Sequence, residues 1–330
     1  MQNNRPLSCL GNPVIASLLA ALCCVLWGTA YPGIKSGYAL FAIAADDNAA
    51  KLVFAGCRFI LAGTMVLVGQ AIIRLVKKSH GDITVGGHIS LDLAGFLRIV
   101  LLGLFQCGFQ YFFFYVGLAY TTGAKGSIIS STSVFFSALF ANIFYKNDKL
   151  SLRKIIGLIL GFTGVILVNY SEQLGFSFTL HGEGFVMIAA FVFSLSSVYS
   201  KQLTKKLNPV LVSGGHLVVG GLALLLVGLA MGAPFPSGGF GAWLVLGYLA
   251  VLSALTYTTW TVLLKHNKVG SITIYNFLVP VSGTVLSALI LHESVWQTQY
   301  YMAVPAVAIG IYLVNSQSGK KAIRLAHSTR

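Results

Sequence analysis

Charge is scarce in this sequence. Asp, Glu, Lys and Arg together make up 9% of its 330 residues, against roughly 25% in a typical soluble domain. A water-soluble fold of this length needs more polar surface than that, which excludes an ordinary soluble enzyme and a disordered chain. Acids are rarer still, with 8 Asp and Glu against 22 Lys and Arg. No acid falls deep inside an apolar stretch, since Asp92 and Glu183 sit at the ends of such stretches. A relay of buried carboxylates therefore has no carrier. The five cysteines show no CxxC and no Cys/His metal spacing and read as small packing residues. There is no HExxH motif, no Ser/His pair of recognisable spacing and no pair of buried carboxylates, so catalysis is not expected. Gly123-Ala124-Lys125-Gly126 lacks the spacing of a phosphate-binding GxxxxGK[ST] loop. ATP coupling by this chain is not expected, no ATPase subunit is implied, and no cofactor or metal is implied. No small-residue cleavage site follows a short apolar core, so the first apolar stretch reads as a retained span.

Long apolar runs fill the rest, with 56% of the chain hydrophobic. The runs are long and do not alternate, which favours all-α spans over barrel strands. Ten transmembrane helices are expected, at about 13–35, 51–74, 93–118, 122–145, 152–170, 183–203, 210–231, 240–264, 268–291 and 298–315. With the N-terminus in the cytoplasm, the inside segments collect 17 of the 22 basic residues, and the outside ends collect five of the eight acids. The bias holds in every loop and predicts both termini in the cytoplasm. The formal charge of +14 is thus spread over one membrane face, and nucleic acid is not expected as a partner.

The chain also repeats itself. Gly126-Ser127-Ile128 recurs as Gly270-Ser271-Ile272, 144 residues later. Gly164-Val165-Ile166-Leu167-Val168-Asn169 recurs as Gly310-Ile311-Tyr312-Leu313-Val314-Asn315, at an offset of 146. Lys35 closes the first span and Lys201 the sixth. The repeat divides the chain into residues 1–170 and 171–330, with five spans each. Five is odd, so the halves cross the membrane in opposite senses. Inverted repeats are the architecture of many secondary transporters, with the substrate site near the midplane between halves.

Several stretches carry a family resemblance: LCCVLWGTAYPGIK in the first span, Arg58-Phe59 in the second, and the run from Gly117 to Val168 with its partner from Lys268 to Val314. The sequence resembles the EamA type of the drug/metabolite transporter superfamily across nearly its whole length. The resemblance implies two inverted five-helix repeats, a central cavity, and transport of small metabolites, often outward. The proline usual in the fourth helix is Phe136 here, while its counterpart Pro280 is kept. The glutamate usual after that helix is Asp148, while Glu293 is kept. These departures bear on whether both halves hinge alike. The expected protein is a plasma-membrane carrier, an exporter or exchanger of small organic solutes such as amino acids or related amphipathic compounds, monomeric or homodimeric. A channel or a non-transporting receptor is the alternative, and a membrane-embedded enzyme a more remote one.

Polar residues inside spans are costly and so mark candidate sites. Arg58 has the fork to hold a carboxylate or phosphate, or it snorkels; Arg98 reads as snorkelling. Gln106 and Gln110 are four apart and share a helical face, toward either a cavity or another helix. Trp27 and Tyr31 in span one and Tyr257 and Trp260 in span eight offer aromatic walls. Asn276 and Ser131 complete the set of substrate-binding candidates. Gly28, Pro32 and Pro280 are hinge candidates, because each proline frees the carbonyl four residues earlier. His216 reads as structural. Trp296, Tyr300 and Tyr301 read as an interfacial aromatic belt.

Overall fold

The computed structural model describes residues 12–79, 92–121, 123–169, 178–290 and 301–315. Among these residues there is no β-strand. In chain order, α1 is Pro13–Leu40, α2 is Asn48–Ser79 and α3 is Leu93–Ala119, the last with a π-helical turn at Leu104–Phe109. Then come α4 (Gly123–Ser130), α5 (Ser133–Phe144), α6 (Leu152–Asn169) and α7 (Leu180–Leu203). They are followed by α8 (Pro209–Ala230), α9 (Phe240–His266), α10 (Val269–Thr273), a 3-10 turn at Ile274–Phe277, α11 (Leu278–Ile290) and α12 (Tyr301–Asn315). Among the described residues seven helical stretches are long and apolar enough to cross a membrane, and two shorter apolar helices lie at Val269–Gly283 and Tyr301–Asn315. Their outward faces carry many exposed Leu, Ile, Val and Phe side chains, a surface suited to lipid rather than water.

Helix starts follow local chemistry. Asn12 and Asn208 each precede a proline, and their side-chain oxygens accept from the amides of Val14 and Val210, both at 2.9 Å. This is an Asn N-cap with Pro at the first helical position. Asp92 caps α3 in the same way, accepting from the Gly95 amide at 2.9 Å.

Two helices break where the repeat matches. Between α4 and α5, the Ser131 hydroxyl donates back to the Ser127 carbonyl at 3.0 Å, and the Thr132 hydroxyl to that of Ile129 at 2.5 Å. Such back-bonding competes with the helical ladder and bends it. Between α10 and α11 the chain tightens into the 3-10 turn, with Pro280 in the first turn of α11. Adding the repeat offset of 144 to Ser131 gives residue 275, inside that turn. The first half thus interrupts its helix without a proline: Phe136 keeps its amide bond to the Thr132 carbonyl at 3.1 Å. Pro32, by contrast, lies inside α1 without interrupting it.

Glycines let the helices touch. On α2, Gly56 and Gly63 face Gly221 and Gly214 of α8, and Gly228, seven residues beyond Gly221, meets Ala49 and Val53. A Cβ on Gly221 would lie 2.8 Å from the Ile60 amide and 2.9 Å from the Gly56 carbonyl. Gly28 of α1 packs on Ser282 and Gly283 of α11, and Gly157 and Gly164 of α6 pack on the backbone of α12. Small residues at such crossings give membrane helices their van der Waals contact. A side chain at Gly221 meets backbone, which cannot move aside. Gly221→Val is expected to lower the melting temperature in detergent by several degrees, in line with ~1–3 kcal/mol for overpacking. Gly247→Val, with open space around it, is expected to leave it unchanged. Differential scanning fluorimetry of both variants reads the contrast.

Candidate functional site

The two broken helices meet at a cavity of about 180 Å³. That is smaller than the ~300–1,000 Å³ of drug-sized ligand clefts and fits a small metabolite. Its wall includes Trp27, Arg58, Gln110, Ser131, Tyr257, Asn276 and Pro280, so most of the sequence-derived candidates converge there. Ser127, Ser130 and Ser133 come from the first break, and Val279 from the second. The lining parts of α1, α2, α3, α4 and α7 are those farther from the basic loops along each helix. The cavity therefore lies off-centre, toward the end opposite those loops. At the basic end the space is filled by Ala20, Cys23, Ala141, Leu263, Leu264, Val269 and Ile272.

Arg58 is the cation of the wall. It is 3% exposed, and its Nε donates to the Ser253 hydroxyl at 2.8 Å. Ser253 in turn donates to the Leu249 carbonyl of α9 at 2.8 Å. Among the described residues no carboxylate pairs with Arg58. The guanidinium carbon lies 5.2 Å from the Phe59 ring centre, and the charge acts on the hydroxyls of Tyr111, Tyr115 and Tyr257. The hydroxyls of Tyr111 and Tyr257 bond each other at 2.7 Å. Trp27 packs on Tyr257, with centroids 5.5 Å apart, and on Trp260, 5.0 Å apart. Asn276 accepts from the Cys24 thiol at 3.7 Å. Gln110 Oε1 and Ser130 Oγ are buried with no partner among the described residues, although both residues line the cavity.

Four candidates stand elsewhere, among them Pro32, which is buried inside the unbroken α1 and is not in the wall. Gln106 is not in the wall; its Oε1 is buried without a partner among the described residues, in the π-helical turn that precedes Gln110. Trp260 is core, 1% exposed and packed beneath Trp27. Gly28 is the α1–α11 crossing rather than a wall residue. Tyr31 is helical, but its side chain lies outside those described, as do Trp296, Tyr300 and Glu293. His216 is fully buried, its Nδ1 2.9 Å from the Val212 carbonyl, in keeping with its structural reading. Sequence reasoning missed Tyr111, Phe114, Tyr115 and Phe193 in the wall. The run Gln110-Tyr111-Phe112-Phe113-Phe114-Tyr115 was the available signal, since Tyr111, Phe114 and Tyr115 share the helical face of Gln110.

A helical protein with exposed apolar faces and a cavity between interrupted helices has the form of a membrane transporter. The chain belongs to the EamA-like transporter family, whose model matches residues 14–170 and again 180–316. An uncharacterized transporter of Synechocystis sp. is 25% identical, covering 90% of this chain and 88% of the relative. The uncharacterized transporter YyaM of Bacillus subtilis is 25% identical over 71% of this chain and 74% of its own. A WAT1-related chloroplastic protein of Arabidopsis thaliana is also 25% identical, over 62% of this chain and 51% of its own. A protein of known crystal structure shares the fold, with a TM-score of 0.72 over 93% of this chain and 98% of that one at 14% identity.

The tyrosine pair gives a test of the wall. Tyr257→Phe leaves the buried Tyr111 hydroxyl without its partner and is expected to cost about 1–3 kcal/mol. The double variant Tyr111→Phe/Tyr257→Phe is expected to recover most of that loss. A double-mutant cycle on thermal stability measures the coupling.

Proposed function

We propose that this protein is a secondary transporter, an exporter or exchanger of small organic metabolites such as amino acids or related amphipathic solutes. It works by alternating access around the cavity. In this reading ten spans form two inverted repeats, 1–170 and 171–330, in the plasma membrane with both termini in the cytoplasm. The double family match, the breaks in matching register and the glycine crossings between halves support it.

The observation that carries the substrate reading is Arg58, a buried guanidinium on the cavity wall that is tied to Ser253 through its Nε. A charged Arg at mid-membrane depth costs about 2.5–3.5 kcal/mol or more. A ligand carboxylate placed against it recovers part of that cost through paired N–H···O bonds. Gln110 Oε1 is an acceptor that a ligand N–H or O–H satisfies, and Trp27 and Tyr257 present faces to an apolar or aromatic portion. The ligand described by this wall carries a carboxylate, a hydrogen-bond donor and an apolar body.

Counterflow in proteoliposomes tests the reading. Preloaded unlabelled solute is expected to drive saturable uptake of the labelled solute, which a channel does not do. Arg58→Gln is expected to lower uptake of a carboxylated solute at least tenfold while the protein still elutes as folded, and Arg58→Lys to retain part of it. Unchanged kinetics in Arg58→Gln removes the carboxylate from the proposal.

A further inference from the structure

The turn between α9 and α10 is held from two sides by opposite charges. At the end of α9, Lys201 from the last turn of α7 donates to the Leu264 carbonyl at 2.6 Å and also to that of Asn267. At the start of α10, the Gly270 amide donates to Asp148 Oδ2 at 2.9 Å. Asp148 comes from the connection between α5 and α6 and is 2% exposed. Its other oxygen takes the Lys154 ammonium at 2.6 Å. A cation thus sits on helix C-terminal carbonyls and an anion on a helix N-terminal amide, the arrangement that helix dipoles favour. Tyr145 completes the cluster. Its hydroxyl donates to the Val198 carbonyl of α7 at 3.2 Å, and the ammonium groups of Lys201 and Lys205 lie 5.7 and 5.5 Å from its ring centre. The α5–α6 connection, the end of α7 and the α9–α10 turn are therefore joined at the basic end, beneath the packed residues that separate that end from the cavity.

The held turn leads directly into the broken helix. Asn276 and Pro280 of the cavity wall follow Gly270 by six and ten residues. We infer that Asp148 and Lys201 form the latch of the basic-face gate. They keep the α9–α10 turn seated while the cavity is shut toward the basic loops, and they release it when the cavity opens there. Asp148 is a positioning residue: it touches no substrate and acts through α10 on Asn276 and Pro280. The inference rests on the alternating-access reading, but its test reads sidedness rather than transport.

The experiment uses the full chain in sealed vesicles, with Ser130→Cys as a reporter in the cavity wall and the same protein without that change as background. A membrane-impermeant maleimide is added on the face carrying Lys146 and Lys205, or on the opposite face. With Asp148 intact, labelling from the basic face is expected to be slow. In Asp148→Asn the side-chain amide either gives up Gly270 or turns its N–H groups toward the Lys154 ammonium. Labelling from the basic face is then expected to rise at least tenfold, and labelling from the other face to fall. Asp148→Glu, which keeps the charge, is expected to stay nearer the parent. Lys201→Gln provides an independent release of the same turn and is expected to shift sidedness in the same direction. Loss of thermal stability in Asp148→Asn and Lys201→Gln with no change in sidedness overturns the latch and leaves a structural anchor. A sidedness shift in a protein that exchanges no solute supports the latch while removing the transport reading.

Discussion

In hydrocarbon an unpaired backbone amide or carbonyl costs several kcal/mol, because no water replaces the missing partner. Interrupted helices are tolerated at that depth where protein or a wet cavity receives the freed groups. The breaks at Ser131-Thr132 and Ile274–Phe277 both border the cavity, which lets α4–α5 and α10–α11 depart from the helical ladder there. The two halves reach this arrangement by different chemistry. One uses hydroxyls bonded back onto carbonyls, and the other a tightened turn before a proline. The loss of proline at Phe136 therefore removes one means of breaking the helix, and the break itself remains.

Arg58 depends on the same architecture. It belongs to α2, yet its Nε is tied through Ser253 to the backbone of α9. Neither half alone sets the position of the charge. The aromatic lining is shared in the same way, because the Tyr111–Tyr257 hydroxyl bond joins α3 to α9. A site assembled across both matched stretches takes its shape from how they pack on each other.

The helical class, the sites of most spans and the family were legible in the sequence because they rest on local composition and on a repeated string. Tyr31 aside, seven of the other eleven candidate cavity and hinge residues line the cavity. Gln106 and Gln110 were paired by spacing, but only Gln110 reaches the wall, while Gln106 is buried in the π-helical turn before it. Tyr111 and Tyr115 share the helical face of Gln110, and aromatic residues in an apolar run do not stand out as a site. Trp260 was read as a wall residue from its spacing to Tyr257, but depth within a bundle is set by neighbouring helices, and Trp27 lies against it. The partnership of Asp148 with Gly270 spans 122 residues, and no local pattern announces it.

The glycines of α2 and α8 were described as a packing seam, and they also define a line through the molecule. Where backbone rests on backbone, as at Gly56 and Gly221 or Gly63 and Gly214, no side chain is left to change rotamer and take up a displacement. Gly157 and Gly310 meet in the same way between α6 and α12. Neither seam can spread without opening a void along its length. Each ties one helix of the first matched stretch to one of the second at backbone distance, so the two stretches are clamped along two lines rather than one.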